Sequence, residues 1–371
     1  MMFMQKDKSN KLFFLFYMAL ILMGVGAILF AFNNYEFYDE SIAKVVETNE
    51  EYLNTETLNY GYKEDTYMQT IKAKVMNGED KGEIVSISNE YHKGEAYDQR
   101  YYKGDELFIS LNKQDGVIKK AHIEGYKRDK YIVLLVVSFV LVIVLVGRLK
   151  GFLSIISVVL NVILFYVIVG MNATGVSLPV LSFVGAILFS IICLSLVSGL
   201  NKKTLAAIVS SVIGVSVTML ISLVVIHITK YSGVRFEQMG LLTRPYDGIF
   251  IAEIILGGLG AIMDISISMS TSLNELIEKD EKITVRALKK SGYNIGRDIM
   301  STMINVLFFT YICSVIPNLT IYFRNGIELG HLVNEYISLE MTRALTGAIG
   351  ITVTIPISIY ISLLLYKRSV K

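Results

Sequence analysis

The stretch GGLGAIMDISISMSTSLNEL, residues 257–276, places an aspartate and several hydroxyl groups inside an otherwise apolar segment. On a helix, Asp264 shares one face with small and polar residues. They are Glu253, Gly257, Gly260 or Ala261, Ser268, Ser272 and Glu275. Such a face is expected to contact protein rather than lipid. The alternation ISISMS is also typical of a strand, but an open strand leaves backbone groups unpaired in hydrocarbon, so we predict a helix.

The composition of the whole chain is that of a membrane protein. Of the 371 residues, 53% are hydrophobic and 18% are charged, with a mean hydropathy of +0.52. In average soluble domains about a quarter of the residues are charged. The 35 Lys and Arg nearly balance the 33 Asp and Glu. Nucleic-acid binding needs a clustered basic surface, so we expect the lipid bilayer as the partner and no nucleic acid.

Eight apolar runs are long enough to cross a hydrocarbon core, which needs about 20 residues of helix. They lie near residues 12–32, 131–147, 151–170, 179–199, 204–228, 248–271, 299–319 and 344–366. The first run exceeds the roughly 7–15 residues of a signal-peptide core, and Ala-Phe-Asn-Asn is a poor cleavage site. It is therefore predicted to be a retained anchor.

The orientation follows from basic residues at the ends of the runs, because these collect on the cytoplasmic side. One side of an eight-crossing arrangement carries most of them: the N-terminal lysines, Arg148 with Lys150, Lys202 with Lys203, the group from Lys279 to Arg297, and Lys367 with Arg368. The opposite short loops carry Lys230, Arg235, Arg244, Arg324 and Arg343. Both termini are predicted to be cytoplasmic.

This orientation divides the chain into four parts. Residues 1–32 form a cytoplasmic N-terminus and first anchor, and residues 33–65 an extracytoplasmic linker. Residues 66–128 form a small β module, because Ile71, Ala73 and Val75 alternate with lysines before an Asn77-Gly78 turn. Residues 129–371 form a seven-helix transmembrane domain with a cytoplasmic loop near residues 272–298. The predicted fold class is an α-helical polytopic membrane protein with about eight transmembrane helices and a small extracytoplasmic β-barrel-like module.

Patterns of soluble enzymes are absent from the sequence. Cys193 and Cys313 both fall in predicted spans, which leaves no disulfide framework and no CxxC pair. There is no HExxH, GxSxG or Walker motif. Asp247 and Asp264 would lie about 25 Å apart along one helix, too far for a protease dyad. We expect no enzymatic activity and no cofactor.

The seventh run supplies a partner for the face of Asp264. From Gly296-Arg297-Asp298 the chain continues so that Thr302 and Asn305 recur on the face begun by Asp298. Asn305 then lies at a depth similar to that of Asp264. We predict an ion-binding or solute-binding site whose candidates are Asp264, Ser268, Thr302, Asn305, Arg297 and Asp298, with Glu253 as a weaker member nearer the outer surface.

The oxygen atoms of this site suit a hard cation or a proton. The identity of a metal ion does not follow from the sequence. A purely structural role stays open, in which Asp264 pairs with Arg297 or accepts hydrogen bonds at the cytoplasmic rim and fixes helix packing.

A family resemblance rests on two pairs of motifs. GAIMDISISMSTSLNEL followed by GRDIMSTMINVLFFTY resembles the paired signature of the YibE/F family of bacterial multipass membrane proteins. KAKVMNGEDKGEIVSISN with AYDQRYYKGDELFISL resembles the external module of that family. The resemblance spans about residues 65–366, and its matching polar positions are Asp264, Asn274, Glu275, Arg297, Asp298 and Asn305.

The resemblance implies a location in the bacterial cell membrane and a function commonly assumed to concern transport. It also implies a companion family member that lacks the outer module, and a homo-oligomer is a second possible assembly. Two functions are carried forward. The first is a secondary transporter or channel-like protein for an ion or small solute. The alternative is a non-transporting envelope assembly or sensor protein whose outer β module binds a ligand or partner.

Overall fold

The computed structural model describes residues 2–57, 63–95, 98–114, 117–229, 236, 246–280 and 282–366. The chain divides into two compact units, Met1–Arg148 and Leu149–Lys371. Of the basic residues used to predict orientation, Lys230, Arg235, Arg244, Lys367 and Arg368 lie outside the described residues.

The first unit contains two apolar helical segments and a five-stranded sheet. Helix α1 (Met2–Asn33) is followed by a short 3-10 turn (Tyr35–Phe37). The strands are β1 (Ser41–Thr57), β2 (Lys63–Val75), β3 (Ile84–His92), β4 (Glu106–Gln114) and β5 (Val117–Tyr126). All the ladders are antiparallel and the strand order is β3-β2-β1-β4-β5.

Strand β1 corrects the predicted linker. Residues 33–65 were expected to be a linker, but Ser41–Thr57 form the central strand, paired with β2 along its length and with β4 over Ser41–Lys44. The described ladders leave β3 and β5 as edge strands that lie near one another without shared backbone hydrogen bonds. The module is thus an open antiparallel sheet as far as the structure describes it, and closure into a barrel remains a prediction.

The core of the module follows the alternation seen in the sequence. Ile71, Ala73 and Val75 are fully buried on one face of β2, with Ala43 of β1 and Leu107 of β4 against them. Alternate side chains of a strand point to opposite faces, so the intervening lysines of β2 remain outside the core.

A buried polar network lies below this core, where α1 and the next helix meet the sheet. The Lys127 side chain is 0% exposed, and its Nζ donates to Asn34 Oδ1 at 2.8 Å and to Asp129 Oδ1 at 2.8 Å. Glu106 Oε2 lies 3.6 Å from the same nitrogen. The Tyr35 hydroxyl donates to Glu106 Oε1 at 2.8 Å, and burial together with that carboxylate raises the pKa of Tyr35. Every charge in this network has an opposite charge beside it.

Helix α2 (Asp129–Asn172) has 44 residues and is interrupted at Arg148, whose φ of 51° and ψ of −131° are not helical. An unbroken helix of this length would span about 66 Å, roughly twice a hydrocarbon core of about 30 Å. The break separates the two runs predicted at residues 131–147 and 151–170. It coincides with the boundary between the two units.

The second unit is helical. After the second part of α2 come α3 (Leu178–Ser198), α4 (Lys202–Thr229), α5 (Tyr246–Lys279) and α6 (Val285–Arg324). A short α7 (Leu329–Leu332) and a π-helical turn (Val333–Ile337) precede α8 (Ser338–Leu365). Helix α5 is central, because it packs against α3, α4, α6 and α8. A Cβ on Gly258 of α5 would lie 3.6 Å from the Gly347 Cα of α8, so the two backbones nearly touch.

The predicted cytoplasmic loop near residues 272–298 is largely helical. Helix α5 continues to Lys279, and α6 begins at Val285 with Thr284 as its N-cap, whose hydroxyl accepts from the Ala287 backbone nitrogen at 3.2 Å. The charged residues that marked the loop in the sequence lie on the ends of these two helices. Within the described residues, seven helices are long and apolar enough to cross a membrane, with α2 counted once and α7 joined to α8.

Candidate charged cavity in the helical unit

A cavity of about 610 Å³ lies among α2, α3, α5, α6 and α8. Its wall is mostly apolar, with Phe165, Ile168 and Leu256 among the lining residues. The polar lining residues are Ser182, Glu253, Thr310, Tyr311, Ser314, Glu340 and Arg343. Largely apolar cavities with a few convergent polar groups are typical of small-molecule and ion sites.

Three charged side chains meet in the cavity wall. The Arg343 guanidinium donates through Nη2 to Glu253 and through Nη1 to Glu340. The side chains of Arg343 and Glu340 are 12% and 13% exposed, and that of Glu253 is 39% exposed. Two carboxylates therefore share one guanidinium, which leaves a formal charge of −1 when all three groups are ionised.

The helices explain how these groups meet. Glu340 and Arg343 lie on α8 at i+3 spacing, so the two side chains share one face of the helix. Phe250 of α5 places its ring centroid 5.8 Å from Arg343 Cζ and so covers the guanidinium. Arg343 Nε is buried and has no hydrogen-bond partner among the described residues. The cluster is held by packing as well as by its two ion pairs.

Tyr311 of α6 lies against a glycine in the same wall. A Cβ on Gly257 would lie 2.0 Å from the Tyr311 hydroxyl oxygen, so this contact requires glycine at that position. The sequence analysis placed Gly257 on a face expected to contact protein. The structure places the hydroxyl of a tyrosine at Gly257, and a near contact between helix backbones occurs one residue later, at Gly258.

The predicted site between α5 and α6 is open within this chain. Asp264, Thr302 and Asn305 are exposed and Ser268 is half-buried. The Asp264 carboxylate has no hydrogen bond or ion pair to any other described residue, while Asn305 Nδ2 donates to its own helix at Ser301 O over 2.9 Å. Thr302 likewise donates to the backbone of its own helix.

Two contacts fix the register of α5 against α6. Gly257 lies beside Tyr311, and Leu273 lies beside Gly292, so the helices are antiparallel. Interpolation between these contacts places Asp264 level with residues 302–305. The predicted residues thus share a level, as the sequence reasoning required, and their joining in one site remains a prediction.

The other predicted residues have different surroundings. Arg297 and Asp298 are exposed near the start of α6, and the proposed pairing of Asp264 with Arg297 is not present among the described ion pairs. Glu253 is the predicted residue that lies in a charged cluster, and its partners Arg343 and Glu340 were not predicted. No group of three or more metal-ligating side chains occurs in the described part of the chain.

The fold places the chain in a broad class of proteins, and comparison with known families then identifies its family. The chain is mostly helical, and over its described residues it has seven helices long and apolar enough to cross a membrane and a small N-terminal antiparallel sheet. The family model for YibE/F-like protein matches residues 135–368, and that for the YibE/F family N-terminal domain matches residues 36–126. The chain therefore belongs to the YibE/F family, which confirms the resemblance found in the sequence. No curated protein and no solved structure matches it significantly.

Proposed function

We propose that this chain is a secondary transporter or channel-like protein for an ion or small solute. The observation that supports this function is the cavity of about 610 Å³ whose wall carries Glu253, Glu340 and Arg343. Ionisable groups inside apolar helices are costly and commonly mark substrate or ion pathways. Because the cluster carries one more carboxylate than guanidinium, it favours a cation or a proton over an anion.

The polar site predicted between α5 and α6 is part of the same proposal. Asp264 contributes a third carboxylate about three turns further along α5, with Thr302 and Asn305 at the same level of α6. In this arrangement the cavity and the Asp264 level are two positions that a cation occupies in turn.

The proposed placement is the plasma membrane of a bacterium, with eight crossings, both termini in the cytoplasm and the β module outside. The break of α2 at Arg148 supports eight crossings, because each part of α2 then has a length suited to one crossing. The basic groups Lys202 with Lys203 and Lys279 to Arg297 support the orientation.

The proposed partners follow from the exposed polar face. Asp264 and Asn305 are exposed within one chain, and a carboxylate facing hydrocarbon is costly. A companion family member without the N-terminal module, or a second copy of this chain, would cover that face. We propose no enzymatic activity for this chain and no cofactor.

Flux into proteoliposomes tests the proposal. Vesicles containing the full chain are loaded in turn with a pH-sensitive dye, with Na⁺ and with K⁺, and movement down an imposed gradient is followed. We expect flux above that of protein-free vesicles and at least a tenfold loss in Glu253→Gln, which removes a charge at nearly unchanged size. Glu328→Gln, at an exposed position outside the cavity, is the matched control and should keep the flux.

If the wild type moves none of these ions, the transport proposal is wrong and the N-terminal module becomes the place to seek function. If Glu253→Gln and Glu328→Gln behave alike, transport does not pass the charged cavity.

A further inference from the structure

One face of α5 is left uncovered between its neighbours. Helices α4 and α8 cover the buried side of α5, and α3 and α6 pack on its flanks. The remaining stripe contains the half-buried Glu253 and the exposed Gly257, Gly260 and Asp264 at successive turns. Glu253 and Asp264 are 11 positions apart, about 16 Å along the helix axis. The stripe therefore runs from the charged cavity to the Asp264 carboxylate.

The two glycines between these carboxylates have different surroundings. At Gly260 a Cβ would have no heavy atom within 4 Å, so the stripe is open there. At Gly257 the Tyr311 hydroxyl occupies the same space at 2.0 Å. The contact of Tyr311 with Gly257 thus lies between the cavity and the open part of the stripe.

The charge along the stripe has one sign. The cavity cluster carries a formal −1, and Asp264 adds an unpaired carboxylate within the described residues. Buried or lipid-facing negative charge without a counter-ion is unfavourable. A water-filled groove that admits cations removes this cost.

We propose that a groove along α5 joins the charged cavity to Asp264, that it admits small monovalent cations, and that Tyr311 closes it by resting on Gly257. This proposal rests on the proposed function, whose site it extends by a second cation position and a gate. It commits the substrate to a small monovalent cation, including the proton.

Cysteine labelling tests the groove without any measurement of flux. Cys193→Ser and Cys313→Ser remove the native thiols, and Gly260→Cys places a thiol in the groove without a steric clash. Sealed vesicles containing the full chain are treated on one side, and then on the other, with methanethiosulfonates that carry either a trimethylammonium or a sulfonate group. Gly170→Cys is the matched control, because Gly170 of α2 is also exposed with open space around its Cβ but does not line the cavity.

The proposed groove predicts the relative labelling rates of these cysteine variants. Gly260→Cys reacts at least tenfold faster than Gly170→Cys from one side, and the cationic reagent is at least tenfold faster than the anionic one. From the other side Gly260→Cys reacts slowly until Tyr311→Ala is added, which raises the rate at least tenfold. Gly257→Ala is the second way to displace Tyr311, since the added methyl group occupies the position of its hydroxyl without leaving a cavity.

Equal rates for Gly260→Cys and Gly170→Cys from both sides would overturn the groove. No effect of either Tyr311→Ala or Gly257→Ala would overturn the gate, and faster reaction with the anionic reagent would overturn the cation assignment. Disulfide cross-linking of two Gly260→Cys chains in place of labelling would show that a second copy fills the stripe at Gly260 instead of only covering it, which overturns the groove. The predicted labelling with no ion flux would instead refute the proposed transport.

Discussion

Replacing Lys127 by methionine is expected to destabilise the β module strongly. The ammonium is 0% exposed and lies within 2.8 Å of Asp129 Oδ1 and within 3.6 Å of Glu106 Oε2, and Glu106 itself is 2% exposed. Methionine has a similar length but no charge, so it leaves Asp129 without its ion-pair partner, while Glu106 keeps Lys130, whose Nζ lies 3.4 Å from Glu106 Oε1. Removing one partner of a buried ion pair costs about 3–5 kcal/mol.

Hydrogen exchange measures this cost locally in the full-length protein. The amides of β1 and β4 that pair over Ser41–Lys44 lie beside the network, so their exchange should accelerate about a hundredfold or more, at about 1.4 kcal/mol per tenfold. Lys72→Met is the matched control. Its ion pair with Glu47 is 57% and 65% exposed, and its loss should change exchange very little.

The double variant Lys127→Met with Asp129→Asn separates charge from packing. If unpaired charge causes the loss, neutralising Asp129 restores part of the protection. Unchanged or slower exchange in Lys127→Met would refute the reasoning, because it would mean that the buried network contributes no net stability.

Further predictions concern single contacts in each unit. The Asp98 carboxylate accepts a hydrogen bond from His92 Nδ1 and so raises the pKa of His92. The stabilisation is therefore complete below about pH 6.5 and is lost as the pH rises through the folded-state pKa. Exchange of the β3 amides should therefore accelerate over that interval, and His92→Gln should remove the dependence. In the helical unit a Cβ on Gly296 would lie 2.5 Å from Ile355 Cγ2, so Gly296→Ala should lower the melting temperature through overpacking of about 1–3 kcal/mol. Gly260→Ala meets open space and should gain up to about 1 kcal/mol of helix propensity. Melting temperatures that shift in the same direction for both glycines would contradict this account.

The apolar helices were predictable because long apolar runs favour one local structure, the helix. All eight runs fall within helices of the structure to within one residue at their ends. Runs of about 20 apolar residues with every backbone group paired leave only the helix. The ends were not predictable, because charged residues such as those around Lys279 extend a helix beyond the apolar part and resemble a loop in composition.

Strand β1 could not be recognised from its own residues. Most of its apolar residues lie between Ile42 and Val46, and the remainder up to Thr57 is rich in Glu, Asn and Thr. Its strand conformation depends on pairing with β2 and β4 on either side. Strand stability comes from such cross-strand neighbours, which a single sequence does not identify.

Of the three charged residues in the cavity wall, only Glu253 was predicted from the sequence as a site residue. Glu253 stood out as a carboxylate within an apolar run, whereas Arg343 directly precedes the run at residues 344–366 and was counted as a flanking charge. The two lie 90 positions apart, and only the packing of α5 on α8 brings them together. The sequence contained one indication of the pair: an arginine at the edge of one apolar run and a glutamate inside another.

The close approach of Gly258 and Gly347 lies near the charged cluster. The Glu253–Arg343 pair is only about 6–8 Å from this crossing along each helix. The opposite ends of α5 and α8, at Lys279 and Leu365, lie about 27–32 Å away. A tilt about this crossing that displaces those ends by about 3 Å would shift the ion pair by less than about 1 Å. The charged cluster therefore lies where a relative tilt of the two helices would disturb it least.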